Sequence, residues 1–231
     1  MRRAAVILWD VDGTLISCGG AGRRALERAL AERCGPIDGA LGGLRLDGMT
    51  DRLIVREALA LLAHPYSDDA CEGVLARYLE HLAVEIRNPG YQVLPGVEAA
   101  LRSLHGRVPQ GLCTGNVAAG ARVKLAHGGL DAWFDWGPDA ICGFAADGEA
   151  REHVVAAAVR RASARLGRTL DPAEALVVGD TPRDVAAAHL VGCPVLAVAT
   201  GRYSAAELAA SGADQVIASL EDTAALRAVA G

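Results

Sequence analysis

The chain has 231 residues, 52% of them hydrophobic, and a formal net charge of −5 at pH 7. That length allows one sizeable core plus a smaller lobe, and that composition excludes a disordered chain. The acidic balance without a basic stripe argues against nucleic acid as a partner, and no apolar run is long enough to span a membrane.

Arg2-Arg3 is followed by only a brief apolar stretch that ends in Asp10, so no export signal is read and a cytoplasmic protein is expected. Residues 4–10 read as a buried strand, a continuous apolar run stopped by turn residues. The strand leads straight into Asp10-Val11-Asp12-Gly13-Thr14-Leu15. Two carboxylates two residues apart, at a strand end and before a glycine turn, form a compact acidic site. A helix is predicted over 21–33. Thr50 reads as the N-cap of a second helix over 51–63, and a third runs over 67–86. Residues 17–88 therefore read as nearly all helix, without a strand, until Asn88-Pro89-Gly90 breaks the pattern.

After Gly90 strands alternate with helices. Helices are predicted over 97–105, 118–127, 150–166, 183–191 and 204–210, and another at the end of the chain. Strands are predicted over 108–114, 140–144, 175–178, 194–199 and 214–217. This alternation implies an α/β fold, a Rossmann-like parallel sheet with helices on both faces. The helical block interrupts it directly after the first strand and reads as an inserted all-α cap. The expected division is a core domain of 1–16 and 90–231 and a cap domain of 17–89.

In an open parallel sheet, ligands sit beyond the carboxyl ends of the strands. Three predicted strands end there in polar residues: Asp10 and Asp12, Thr114-Gly115-Asn116, and Gly179-Asp180-Thr181-Pro182-Arg183-Asp184. Their convergence gathers carboxylates, a hydroxyl and free backbone N–H groups in one crevice. Clustered carboxylates repel one another without a cation, and all-oxygen ligands point to Mg²⁺. The six cysteines contain no Cys-x-x-Cys pair, and the six histidines have no metal-binding spacing. Cys113, Trp133, Phe134 and Trp136 read as packing residues.

Asp-x-Asp-Gly-Thr-Leu, a strand-end Thr-Gly-Asn and Gly-Asp-Thr-x-x-Asp, in that order, resemble the haloacid dehalogenase superfamily. Within it they resemble the phosphoglycolate-phosphatase-like branch with a helical cap, and the likeness covers the whole chain. It implies a Mg²⁺-dependent phosphatase acting on a small phosphorylated metabolite. Asp10 would attack phosphorus and form an aspartyl-phosphate. Asp12 would protonate the leaving alcohol and then accept a proton from water, so it is expected to be protonated when substrate binds. Asp10, Asp180 and the Asp12 carbonyl would hold the metal, with Asp184 in support. Thr114 and the N–H of Gly115 or Asn116 would bind phosphoryl oxygens, beside Gly13 and Thr14. Thr50 would face the site from the cap.

The superfamily usually supplies a lysine from a third motif. Here the region from Asp147 to His153 contains none. Arg151 is the candidate substitute, and Arg151→Ala is expected to lower turnover while leaving folding intact. Lys124, the one lysine of the chain, is the competitor, but it reads as a solvated helix residue. Arg23 and Arg24 could reach a substrate carboxylate, although Arg23 stands four residues from Glu27 and reads first as a surface pair. The alternatives are a sugar phosphomutase of the same superfamily, or a non-catalytic member that binds a metabolite.

Overall fold

The computed structural model describes residues 3–37, 39–222, 224 and 226. The chain runs β1 (Val6–Trp9), β2 (Ile16–Cys18), α1 (Ala21–Cys34), α2 (Asp51–Leu61), α3 (Asp68–Glu85), β3 (Tyr91–Val93), α4 (Val97–Leu104), β4 (Gln110–Cys113), α5 (Ala118–His127), β5 (Cys142–Gly143), α6 (Arg151–Leu166), β6 (Ala175–Gly179), α7 (Pro182–Val191), β7 (Val195–Val198), α8 (Ala205–Ala210) and β8 (Gln215–Ile217). The helix expected at the end of the chain lies largely outside the described residues. No helix among them is long and apolar enough to cross a membrane.

Six strands form one parallel sheet in the order β5-β4-β1-β6-β7-β8. β1 is buried at every position because both faces of the sheet are covered. Its side chains alternate: Ile7 and Trp9 enter one apolar cluster, Val6 and Leu8 the other. β1 lies between β4 and β6, so the chain leaves it toward one side of the sheet and later returns on the other. This is the topological switch point, where the loops after neighbouring strands diverge and leave a crevice.

Helices α1, α2 and α3 build a third apolar cluster of their own. On α1 the buried positions are Ala21, Ala25, Leu26, Ala29 and Leu30, one face at helical spacing. They meet Val74, Leu75, Tyr78 and Leu82 of α3. Ser67 caps α3 by accepting from Ala70 N at 3.1 Å.

Two readings of the sequence need correction. The helical block was expected to hold no strand, yet Ile16–Cys18 pairs antiparallel with Tyr91–Val93, Ser17 opposite Gln92. Three residues are too few to show a two-residue period, and the partner stands about 75 residues away. The ribbon brings both ends of the insert together. Gly19 and Gly90 cross there so closely that a Cβ on Gly19 would stand 2.6 Å from the Gly90 carbonyl carbon. The strand predicted over 140–144 shrinks to Cys142–Gly143, because it is the sheet edge and pairs only with β4.

Candidate active site

Asp10 leaves the end of β1, and its N–H donates to Val178 O of β6 at 2.9 Å. The next residues turn sharply, with Gly13 N donating to Ile16 O at 2.7 Å and Gly13 at φ +87°. A side chain at Gly13 would be strained and would collide with the Asp180 carboxylate, so glycine there lets two strand ends approach. α7 opens with Pro182 at its first position and a reciprocal cap between Thr181 and Asp184. That cap fixes Asp184: its Oδ2 accepts from Thr181 N at 3.0 Å and from Thr181 Oγ1 at 2.7 Å.

Arg151, at the start of α6, is buried between these carboxylates. Its Nε donates to Asp184 Oδ1 at 2.7 Å and its Nη2 to Asp10 Oδ1 at 2.7 Å. The guanidinium thus forks onto two acids from different strand ends. Its burial also changes one expectation. Loss of Arg151 would strip the partner from two buried carboxylates, so Arg151→Ala should disturb folding as well as turnover.

Asp10, Asp180 and Asp184 each place a carboxylate oxygen within 4.8 Å of the others. One arginine faces three acids. Burial, outweighing Arg151, pushes Asp10 up to about 6, with Asp184 adding to the rise. Asp180 is pushed well above the usual carboxylate range by burial, then by Asp10 and Asp184. Asp180 Oδ1 accepts from Thr14 Oγ1 at 3.2 Å. Neither Asp10 Oδ2 nor Asp180 Oδ2 accepts a hydrogen bond from the described residues. Three clustered carboxylates faced by one arginine make an all-oxygen, negatively charged donor set that suits a hard divalent cation such as Mg²⁺.

Asp12 has the opposite setting. Its Oδ2 accepts from Lys124 Nζ and from Asn116 Nδ2, each at 2.7 Å. Lys124 Nζ also donates to Asn116 Oδ1 at 2.6 Å, and Asn116 Nδ2 reaches Thr114 Oγ1 at 2.8 Å. The expected solvated lysine is therefore wrong. Lys124 is buried, on the face of α5 turned toward the strand ends. Although burial raises Asp12, Lys124 and the hydrogen bonds around it hold its carboxyl below the usual range. In the free protein Asp12 is a carboxylate.

Asp10, Asp12, Gly13, Thr114, Gly115 and Asn116 all line one cavity of about 280 Å³, together with Arg151, Asp180 and Lys124. The helical insert covers it. Asp51 N, at the start of α2, donates to Gly115 O at 2.7 Å, and Asp51 Oδ2 accepts from Val117 N at 2.7 Å. Burial pushes Asp51 up to about 6, against the pull of Lys124.

Thr14 and Thr50 are placed differently from the expectation of substrate contact. Thr14 is fully buried and supports Asp180. Thr50 caps α2, accepting from Leu53 N at 3.3 Å and donating to Glu149 O at 2.7 Å, so its hydroxyl ties the insert to the core. Arg23 lines the cavity, but its Nη atoms donate to Leu41 O and Leu44 O, and it stands 3.7 Å from Glu27. Arg24 pairs with Glu85 at 2.7 Å. The residues missed by sequence reasoning are Asp51 and Tyr78, which line the cavity from the insert. The Asp51 signal was its place directly after a cap residue. Tyr78 gave none beyond helical spacing.

A family model described as haloacid dehalogenase-like hydrolase matches residues 4–192. The chain is 34% identical over 213 residues to the phosphoglycolate phosphatase of Rhodospirillum rubrum, covering 90% of this chain and 84% of that one. It is 31% identical over 220 residues to the plasmid phosphoglycolate phosphatase of Cupriavidus necator, covering 93% and 89%. A crystal structure of a predicted phosphatase from Clostridium acetobutylicum superposes with a TM-score of 0.72 at 21% identity, covering 98% and 99% of the two chains. With these matches spanning the sheet and the three polar strand ends, the chain belongs to the haloacid dehalogenase-like hydrolases.

Proposed function

We propose that this hydrolase is a Mg²⁺-dependent phosphatase that cleaves a small phosphate monoester of the phosphoglycolate type through an aspartyl-phosphate on Asp10. One observation carries the reading. Asp10 and Asp12, two residues apart, have opposite electrostatic settings within one covered cavity. Two carboxylates whose environments differ in this way can take different roles.

Asp10 and Asp180 would hold the metal, with the Asp12 carbonyl completing the protein's share and Asp184 in support. The ion would supply positive charge to the nucleophile and to the phosphoryl oxygens. Arg151 orients Asp10 through Oδ1 and leaves Oδ2 for attack on phosphorus. Thr114 Oγ1 and the N–H of Gly115 stand at the adjacent strand end to receive phosphoryl oxygens. As Asp10 Oδ2 bonds to phosphorus, the ester oxygen departs and takes a proton from Asp12. Entry of the phosphate dianion beside Asp12 raises that carboxyl's affinity for the proton. Asp12 then draws a proton from the water that hydrolyses the acyl phosphate.

We read residues 17–89 as a cap that excludes water during both steps. Its own apolar cluster and the Gly19–Gly90 crossing support this reading. The test is release of inorganic phosphate from a panel of small monoesters with Mg²⁺ or chelator, beside Asp10→Asn. Hydrolysis of 2-phosphoglycolate that stops in chelator, and falls by about 10⁴-fold or more in Asp10→Asn, is expected. Undiminished turnover in Asp10→Asn would overturn the reading.

A further inference from the structure

We propose that Lys124 and Tyr78, beneath Gly22, form a carboxylate-binding subsite for the leaving-group end of the substrate. The inference rests on the phosphatase reading and extends it to side chains that set specificity.

An ammonium group has three N–H donors. Lys124 gives one to Asp12 Oδ2 and one to Asn116 Oδ1. A third remains on a side chain that lines the cavity. Tyr78, from α3, also lines the cavity and is only 4% exposed, yet its hydroxyl makes no hydrogen bond to the described residues. Burial and the nearby carboxylates raise its phenol far above the usual range, so it stays a donor. A buried phenol normally finds a partner. The two donors converge under α1: a Cβ placed on Gly22 would stand 3.7 Å from Lys124 Nζ and 3.8 Å from Tyr78 Oη.

The other cations of the cavity are committed elsewhere. Arg151 grips Asp10 and Asp184, and Arg23 grips two backbone carbonyls. Arg202 sits at the rim, 61% exposed and 3.7 Å from Asp47. Leu26, Ile54 and Leu75 line the nearby wall together with Asp51, whose Oδ2 is held by Val117 N at 2.7 Å. A cation and a phenol donor in such a wall suit a small anion. The position also limits length. Lys124 is one hydrogen bond from Asp12, the group that would protonate the ester oxygen. A carboxylate reaching Lys124 is therefore only a few atoms from that oxygen, as in the phosphate ester of a short 2-hydroxy acid.

The test measures binding and turnover separately. Dissociation constants for 2-phosphoglycolate and its neutral amide are measured with Mg²⁺ on Asp10→Asn protein, which holds the ester without cleaving it. The same pair is measured in Asp10→Asn combined with Tyr78→Phe or with Gly22→Ala. The Cβ contacts at Gly22 are ordinary, and alanine favours the helix, so that variant should fold. A preference for the carboxylate of at least about tenfold is expected, cut about fivefold or more by each change. No preference, or a preference that both variants retain, would overturn the subsite while leaving the phosphatase reading intact. Failure of the unmodified enzyme to hydrolyse any monoester with Mg²⁺ would overturn that reading, and the binding ratio would still decide the subsite.

Discussion

The cavity has two clusters of acid and base, and their charge counts differ. On one side Arg151, alone among the described residues, faces Asp10, Asp180 and Asp184. On the other, Lys124 faces Asp12 one to one, with Asn116 bonded to both. Burial raises the carboxyls of Asp10, Asp12 and Asp180, so the direction of each of these shifts depends on how much positive charge opposes it. Asp10 and Asp180 rise and Asp12 falls. The first cluster is short of positive charge and suits a metal ion. The second is complete and suits proton transfer and substrate recognition.

The strongest way to break this contrast is to remove Arg151. Arg151→Ala should cost about 3–5 kcal/mol in metal-free protein, because two buried carboxylates lose their partner. Chemical denaturation checks this. Addition of Mg²⁺ should restore part of the loss, and an unchanged midpoint without metal would contradict the account.

Removing the second cation should affect rate more than stability. Lys124→Met should lower kcat about 10²-fold, because Asp12 loses the group that fixes its position and charge. The stability loss should be about 1–3 kcal/mol, below that of a fully buried pair, since the Asp12 side chain is 41% exposed. The acid limb of the pH–rate profile should move upward, and a profile that stays in place would separate Lys124 from Asp12 in function.

The subtlest test uses pH alone. Asp10 and Asp51 titrate near 6 in the folded protein, against an ordinary value of 3.8. Below about 6 the folded state therefore holds more protons than the unfolded state, so metal-free stability should rise as pH falls from about 8 toward about 5. Asp12 works oppositely, but only at pH values near and below the ordinary carboxylate range. Melting temperature followed across pH should show this rise in chelator. In Mg²⁺ it should flatten, because the ion replaces the proton on Asp10. A rise of the same size in Mg²⁺ would argue that the metal does not touch Asp10.

Much of the first cluster was legible in the chain. Asp10, Asp180 and Asp184 stand at the ends of apolar runs or inside a helix cap, local patterns that need only neighbouring residues to be read. The alternation of strand and helix after Gly90 likewise gave the parallel sheet, and Arg151 was found by asking which cation could replace a missing lysine. The second cluster was not legible. Lys124 sits on a helix whose charged residues commonly face water, and only the packing of α5 against the strand ends turns it inward. Thr50 was read correctly as a cap. Its hydroxyl faces Glu149 O instead of substrate, because the contact lies across the seam between insert and core.

The sequence by itself thus determined the kinds of element, their order and the acids at the strand ends, because turns, caps and apolar periods act over a few residues. Tertiary structure alone decided which charges meet. Lys124 and Asp12 are 112 positions apart and Arg151 and Asp10 are 141 apart. Only the packed sheet and its covering helices bring such residues together in one covered cavity, where one missing or added charge decides how each acid behaves.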